Sequence, residues 1–199
     1  MMNLARLVEG IGIFGGTSWG AWTLVRRRLH QRRAAQDCLR HVRQMLTLDQ
    51  VRIVHFPVPA LGARYLGYPI TLECRAAPDG WRWRLHSELQ SAWEGRLLIH
   101  GEDRPGRMRE LYGMEIVLTG DAEFDRMALI ACTDEARAAH IFSRYLRERY
   151  RQLAHTHFQL EVRDTHVYAE CTTQGQSLTP VPIYLDLVVA TMALLETTL

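Results

Sequence analysis

The chain has 199 residues, with 24 basic and 22 acidic side chains, a net charge of +2 and 47% hydrophobic content. That suffices for one medium domain plus an appendage, with a core needing no disulfide or metal staple; it is too apolar for a disordered chain and too interrupted by charge for a polytopic membrane protein. All the basic residues are Arg, and the lack of Lys excludes Schiff-base lysine enzymes and phosphate-loop ATPases.

Charge is unevenly placed. Residues 1–43 hold eight Arg against Glu9 and Asp37, and the remainder holds sixteen Arg against twenty acids. The pattern divides the chain into a basic N-terminal segment, 1–46, and a mildly acidic body, 47–199.

Between Leu7 and Val25 the only charge is Glu9. As a helix this stretch is about 28 Å long, close to the ~30 Å hydrocarbon thickness of a bilayer. Trp19 and Trp22 sit near its end, where aromatic rings favour the headgroup level, and Arg26, Arg27, Arg28, Arg32 and Arg33 follow. The positive-inside rule then predicts a single span with a cytoplasmic body. A signal peptide would carry its positive charge ahead of the apolar run, so cleavage is not expected. The competing reading is a soluble, Gly-rich helix packed against a protein partner.

Gly12, Gly16 and Gly20 share one helix face, which predicts close helix–helix packing and a homo-oligomer. Gly10, Gly12 and Gly15 also spell a dinucleotide fingerprint, with Asp37 about twenty residues on. No strand precedes Gly10 and no βαβ alternation follows, so nicotinamide binding is rejected and no cofactor is expected. The helix is predicted to continue to residue 46. Its Arg run suits anionic lipid better than nucleic acid, because it abuts the span and the body is acidic.

From about Val51 the pattern changes to strands. Ile70–Cys74 and Trp81–Leu85 alternate around Pro78-Asp79-Gly80, which predicts a hairpin with Arg82 and Arg84 facing away from Trp81 and Trp83. The two Trp are expected as core or cross-strand partners rather than ligand platforms. Further strands are expected at Leu97–His100, Met114–Thr119 and Phe124–Cys132. Thr133-Asp134-Glu135 then caps a helix reaching about His155. A second hairpin joins Phe158–Arg163 to Val167–Cys171. Pro182 opens an apolar helix, Ile183–Leu199, whose only charges are Asp186 and Glu196; it is predicted to be buried on the sheet and not a second span. The fold class is α+β, a mostly antiparallel sheet with helices on one face, preceded by the transmembrane helix.

Sites are sparse. Asp121, Glu123 and Asp125 could bind a cation or act in acid–base chemistry, but a turn at Asp121 with solvent-facing neighbours is preferred. His155 and His157 supply two metal ligands at best, with His100 or His166 as distant thirds, and no metal is expected. Cys38, Cys74, Cys132 and Cys171 form no Cys-x-x-Cys pair and suit free thiols in a reducing compartment. No nucleophile elbow or other catalytic constellation is encoded, so no catalytic residue is expected.

Gly120, Asp121, Phe124, Asp125 and Asp134, within residues 95–175, carry a Gly-Asp-x-x-Phe-Asp pattern passing from a strand into a helix. In this the chain resembles a widespread group of bacterial domains of unknown function, often tethered by one or two membrane helices. The resemblance implies the fold and the anchoring, and no activity. The expected function is a non-enzymatic, membrane-tethered scaffold or regulatory module with the membrane and a protein as partners. The alternatives are a subunit of a larger membrane-associated complex, or an enzyme whose site draws on Glu123, Asp125 and His100.

Overall fold

The computed structural model describes residues 4–54, 58–91, 93–101, 113–134, 138, 141–153, 156–175 and 177–197, with side chains from residue 22 onward. It opens with one unbroken helix, α1 (Leu4–Met45). At 1.5 Å per residue its 42 residues extend about 63 Å. Four strands follow as a meander: β1 (Asp49–Val54), β2 (Ala60–Tyr65), β3 (Tyr68–Ala77) and β4 (Gly80–Glu88). Then come β5 (Arg96–His100), β6 (Glu115–Ile116), α2 (Phe124–Met127), β7 (Leu129–Cys132), α3 (Arg144–Gln152), β8 (His157–Arg163), β9 (His166–Gln174) and α4 (Pro180–Thr197).

Among the described residues the strands form one nine-stranded sheet, ordered β1-β2-β3-β4-β9-β8-β5-β7-β6. All its pairings are antiparallel. With the four helices this is the α+β class that the alternating pattern predicts. The Pro78-Asp79 hairpin forms with Cys74 opposite Trp83 and Leu72 opposite Leu85. Gly80 is required here: a Cβ would lie 2.0 Å from the Thr173 carbonyl oxygen, inside β9. Trp83 is fully buried, as its place on the apolar side of a period-2 strand demands.

The two faces of the sheet differ sharply. Leu72, Leu85, Ala169, Leu160 and Ile99 point to one side and are buried beneath α4, α3 and the last turns of α1 in a single apolar cluster. Thr71, His86, Tyr168 and Gln159 point to the other side and are exposed. α4 is long and apolar enough to cross a membrane by length and composition. Nine of its residues, from Val181 to Leu195, are instead buried in the body's core. Pro180 and Pro182 both fit its first turn, where missing N–H donors cost nothing, so it starts earlier than the lone Pro182 signal suggests.

The two charges on α4 are held by tyrosines from the β2–β3 hairpin. The Tyr65 hydroxyl donates to Asp186 Oδ1 at 2.5 Å, and the Tyr68 hydroxyl donates to Glu196 Oε2 at 2.7 Å. Glu196 also accepts the Gln90 N–H. Burial, the hydrogen bond and the neighbouring carboxylate push the Tyr68 hydroxyl up to about 12, and the same causes raise Tyr65. Replacing Tyr65 by Phe strips Asp186 of this donor on a half-buried helix face. The expected loss is about 1.5–3 kcal/mol, the usual worth of a hydrogen bond to a charged group, read from the urea midpoint.

Three local expectations need correction. The strand expected over Met114–Thr119 is paired only at Glu115–Ile116. Phe124–Cys132 is not one strand: its first four residues form α2 and only Leu129–Cys132 joins the sheet. Phe124 turns inward because its ring fills a hole between Phe142 and Tyr150, which an extended backbone at the sheet edge would not reach. The helix expected from Thr133 is interrupted as well. Ser143 leaves helical geometry and its Oγ accepts the Leu146 N–H, so a new helix, α3, starts there.

Candidate functional site

Among the described side chains, the buried contacts of α1 with the body lie in its last turns. Ala35, Leu39 and Val42, at i, i+4 and i+7, are buried against the sheet and α4. Residues 22–31 are exposed on every side, including Trp22 at 57%, Leu24 at 62% and Leu29 at 51%. The Arg26 guanidinium lies 5.3 Å from the Trp22 ring centroid, one turn away, so a cation and an aromatic ring share one patch. Arg27, Arg28 and Arg33 are exposed and Arg32 is half-buried. Trp19, Gly12, Gly16 and Gly20 fall in the helical stretch of α1, and their surroundings lie outside the described residues. On a continuous helix the three glycines share one face.

The Gly-Asp-x-x-Phe-Asp segment is a locked corner. Gly120 adopts φ +77, which turns the chain into α2. Asp121 Oδ1 accepts the Phe124 N–H at 3.1 Å, and its Oδ2 meets Arg151 at 2.7 Å and Arg147 at 3.4 Å. The Phe124 N–H bond and the Arg151 guanidinium hold this carboxyl below the usual aspartate range. Asp125 Oδ1 accepts from both the Thr119 N–H at 3.0 Å and its hydroxyl at 2.7 Å. Glu123 is largely exposed, 3.8 Å from Arg151. Asp121 and Glu123 thus both face Arg151 while Asp125 is bound to Thr119, and among the described residues the three carboxylates form no metal-binding cluster.

A pH test follows for Asp121. A carboxyl lowered by folding adds stability that is full above its unfolded value of ~3.9 and is lost as pH falls through the lower folded value. Asp121→Asn keeps an acceptor for the Phe124 N–H but removes the charge facing Arg147 and Arg151. The variant should unfold at lower urea than the wild type at pH 7, and the gap should narrow as pH falls below ~3.9 and the wild-type carboxyl takes up its proton.

The open face of the sheet carries the other polar side chains. Arg82 and Arg84 bracket Glu170 at 3.3 and 2.7 Å, and Arg96 meets Glu161 at 3.4 Å. A shallow hollow of about 450 Å³ lies over Thr71, His86, Glu88, His166 and Tyr168. His86 meets the Tyr168 ring edge-on at 5.0 Å, and His166 Nδ1 is 3.9 Å from Glu88. His100 and His157 line a neighbouring depression on the same face. His155 lies outside the described residues. Among the described residues no three His, Cys, Asp or Glu side chains converge as a metal site would need. Near residues 120–135 the described cavity is about 20 Å³, lined by Ile99, Met127, Tyr150 and Phe158. That is room for one water.

Neither the carboxylate–tyrosine pairs nor the Arg82–Glu170–Arg84 set was visible as a pattern. Their members are 86 to 128 residues apart in the chain for the closest bonds.

No protein-family profile matches the chain, and no curated protein matches it. Among solved structures it is similar to the crystal structure of the mycobacterial trehalose monomycolate transport factor A. The identity is 9% and the TM-score 0.49, over 84% of this chain and 93% of that one.

Proposed function

We propose that the chain is a membrane-tethered, non-enzymatic module that scaffolds or regulates a protein partner at a bacterial inner membrane. α1 is the tether, with residues 7–25 in lipid and the body, 47–199, in the cytoplasm. The division of α1 carries this reading: residues 22–31 expose Trp22, Leu24, Val25 and Leu29 to all sides, while packing begins only at Ala35. Large apolar side chains gathered on a projecting helix need a cover, and lipid supplies it next to a length that fits the bilayer. Exposed Arg near an anionic leaflet contributes about 1 kcal/mol each, so Arg26, Arg27, Arg28 and Arg33 would hold the shaft at the surface. The face of Gly12, Gly16 and Gly20 is the proposed route to a homo-oligomer.

Fractionation tests the tether. The full chain should resist alkaline carbonate extraction from membranes, whereas a chain lacking residues 1–33 keeps Ala35, Leu39 and Val42 and should be soluble and folded. Solubility of both would refute the tether and favour the other cover for those side chains, a protein partner in a larger complex.

A further inference from the structure

Cys38 stands on α1 within the packed series Ala35, Cys38, Leu39 and Val42, and is half-buried there. Cys74 lies beneath it on β3, fully buried opposite Trp83. Both are free thiols, each the other's side-chain partner where α1 packs on the apolar cluster of the sheet. Two features set this pair apart from Cys132 and Cys171, which are each buried within the sheet. First, it bridges two elements, α1 and β3, that pack in one apolar cluster. Second, one member reaches the surface while the other is sealed behind it.

We propose that Cys38 and Cys74 are an oxidant-responsive pair whose disulfide staples α1 to the centre of the sheet. The chemistry suits their unequal environments. Donation from the Cys74 thiol lowers the Cys38 thiol, against burial and the neighbouring Asp37, and the same contact with burial raises Cys74. Cys38 is therefore the more acidic of the two and the accessible nucleophile. Its sulfur attacks one oxygen of hydrogen peroxide, the O–O bond breaks, and a sulfenic acid and water result. The Cys74 sulfur then displaces that hydroxyl: the S–S bond forms, the Cys74 proton leaves with the hydroxyl, and a second water is released. Overall, two thiols and one peroxide give one disulfide and two waters. The bonded sulfurs lie ~2.05 Å apart, and a thiol such as dithiothreitol reverses the step.

The consequence is mechanical. In the reduced state α1 is held to the body by Ala35, Leu39 and Val42; in the oxidised state the shaft is bonded to β3 and leaves the body at a fixed place. The pair depends on how α1 packs on the sheet and stands whether or not residues 7–25 lie in lipid.

The test uses the purified full chain in detergent, treated with hydrogen peroxide, blocked with N-ethylmaleimide under denaturing conditions and cut with trypsin. Peptide 34–40 should be found joined to peptide 65–75 with the loss of two hydrogens, while Cys132 and Cys171 are recovered alkylated. Oxidation should raise the midpoint of thermal unfolding by roughly 5–10 °C, as closing a loop of this size does. Dithiothreitol should return it. Cys38→Ser should lose both the cross-link and the shift, and Cys74→Ala should leave a Cys38 sulfenic acid that dimedone traps. Recovery of Cys74 as an alkylated thiol from oxidised wild type, with Cys38 as sulfinic acid or joined to a second chain, would overturn the proposal.

Discussion

Phe124→Ala should destabilise the body by about 3–5 kcal/mol and lower its thermal midpoint by roughly 10 °C, the largest loss expected from a single side chain. The ring is fully buried and sits 6.4 Å from Phe142 and 5.9 Å from Tyr150, centroid to centroid. Tyr150 continues the stack to Phe158 at 5.2 Å, and Phe158 to Tyr184 at 5.7 Å. Phe124 thus begins a run of rings linking the 120–125 corner to α3, the sheet and α4. Removing it leaves a cavity at the start of that run, and the corner cannot collapse into it, because Asp121 is bonded to Arg151 and Asp125 to Thr119. Phe124→Leu refills most of the volume and should recover more than half of the loss. Equal unfolding midpoints for Phe124→Ala and wild type would show that the corner does not brace the core.

The second expected result concerns orientation. Replacing Arg26, Arg27, Arg28, Arg32 and Arg33 together by Gln should turn a uniform population of membrane-bound chains into a mixed one. In the proposed tether these residues supply most of the positive charge on the cytoplasmic flank, leaving Arg40 and Arg43 at a distance and Arg6 with the amino terminus on the other side. Orientation follows the Lys and Arg excess within about 15–20 residues of a span, and after the substitution the two flanks are nearly balanced. Gln retains helix propensity, and the contacts of Ala35, Leu39 and Val42 are untouched, so the body should fold as before. Protease added to spheroplasts should leave the wild-type body intact and digest a large share of the variant's. A fully protected variant would mean that the Arg run does not set the orientation.

Local order was legible where burial follows a simple period. The Ile70–Cys74 and Trp81–Leu85 hairpin, the Phe158–Arg163 and Val167–Cys171 hairpin and the buried apolar helix all appear, the first with Cys74, Trp83 and Leu85 buried and Arg82 and Arg84 on the other face. The β2–β3 hairpin was not legible. Its two-residue turn is Leu66-Gly67, with φ +50 and +90, and a leucine at positive φ gives none of the Asn or Asp signal by which such turns are recognised. The Phe124–Cys132 stretch misled for another reason: its apolar residues run on into β7 and read as one strand, and only the hole between Phe142 and Tyr150 turned Phe124 inward.

The sequence by itself thus determined the two regular hairpins and the apolar final helix, since side-chain periodicity is a local property of the backbone. It also set the charge step along α1 on which the tether reading rests. Tertiary structure alone decided which distant residues meet. Inserting β9 between β4 and β8 places Glu170 between Arg82 and Arg84. Seating α4 and α1 on the same sheet face brings Asp186 to Tyr65, Glu196 to Tyr68 and Cys38 to Cys74. Such pairs carry no periodic signature, because their spacing in the chain is set by strand order and connection length rather than by the repeat of a helix or a strand.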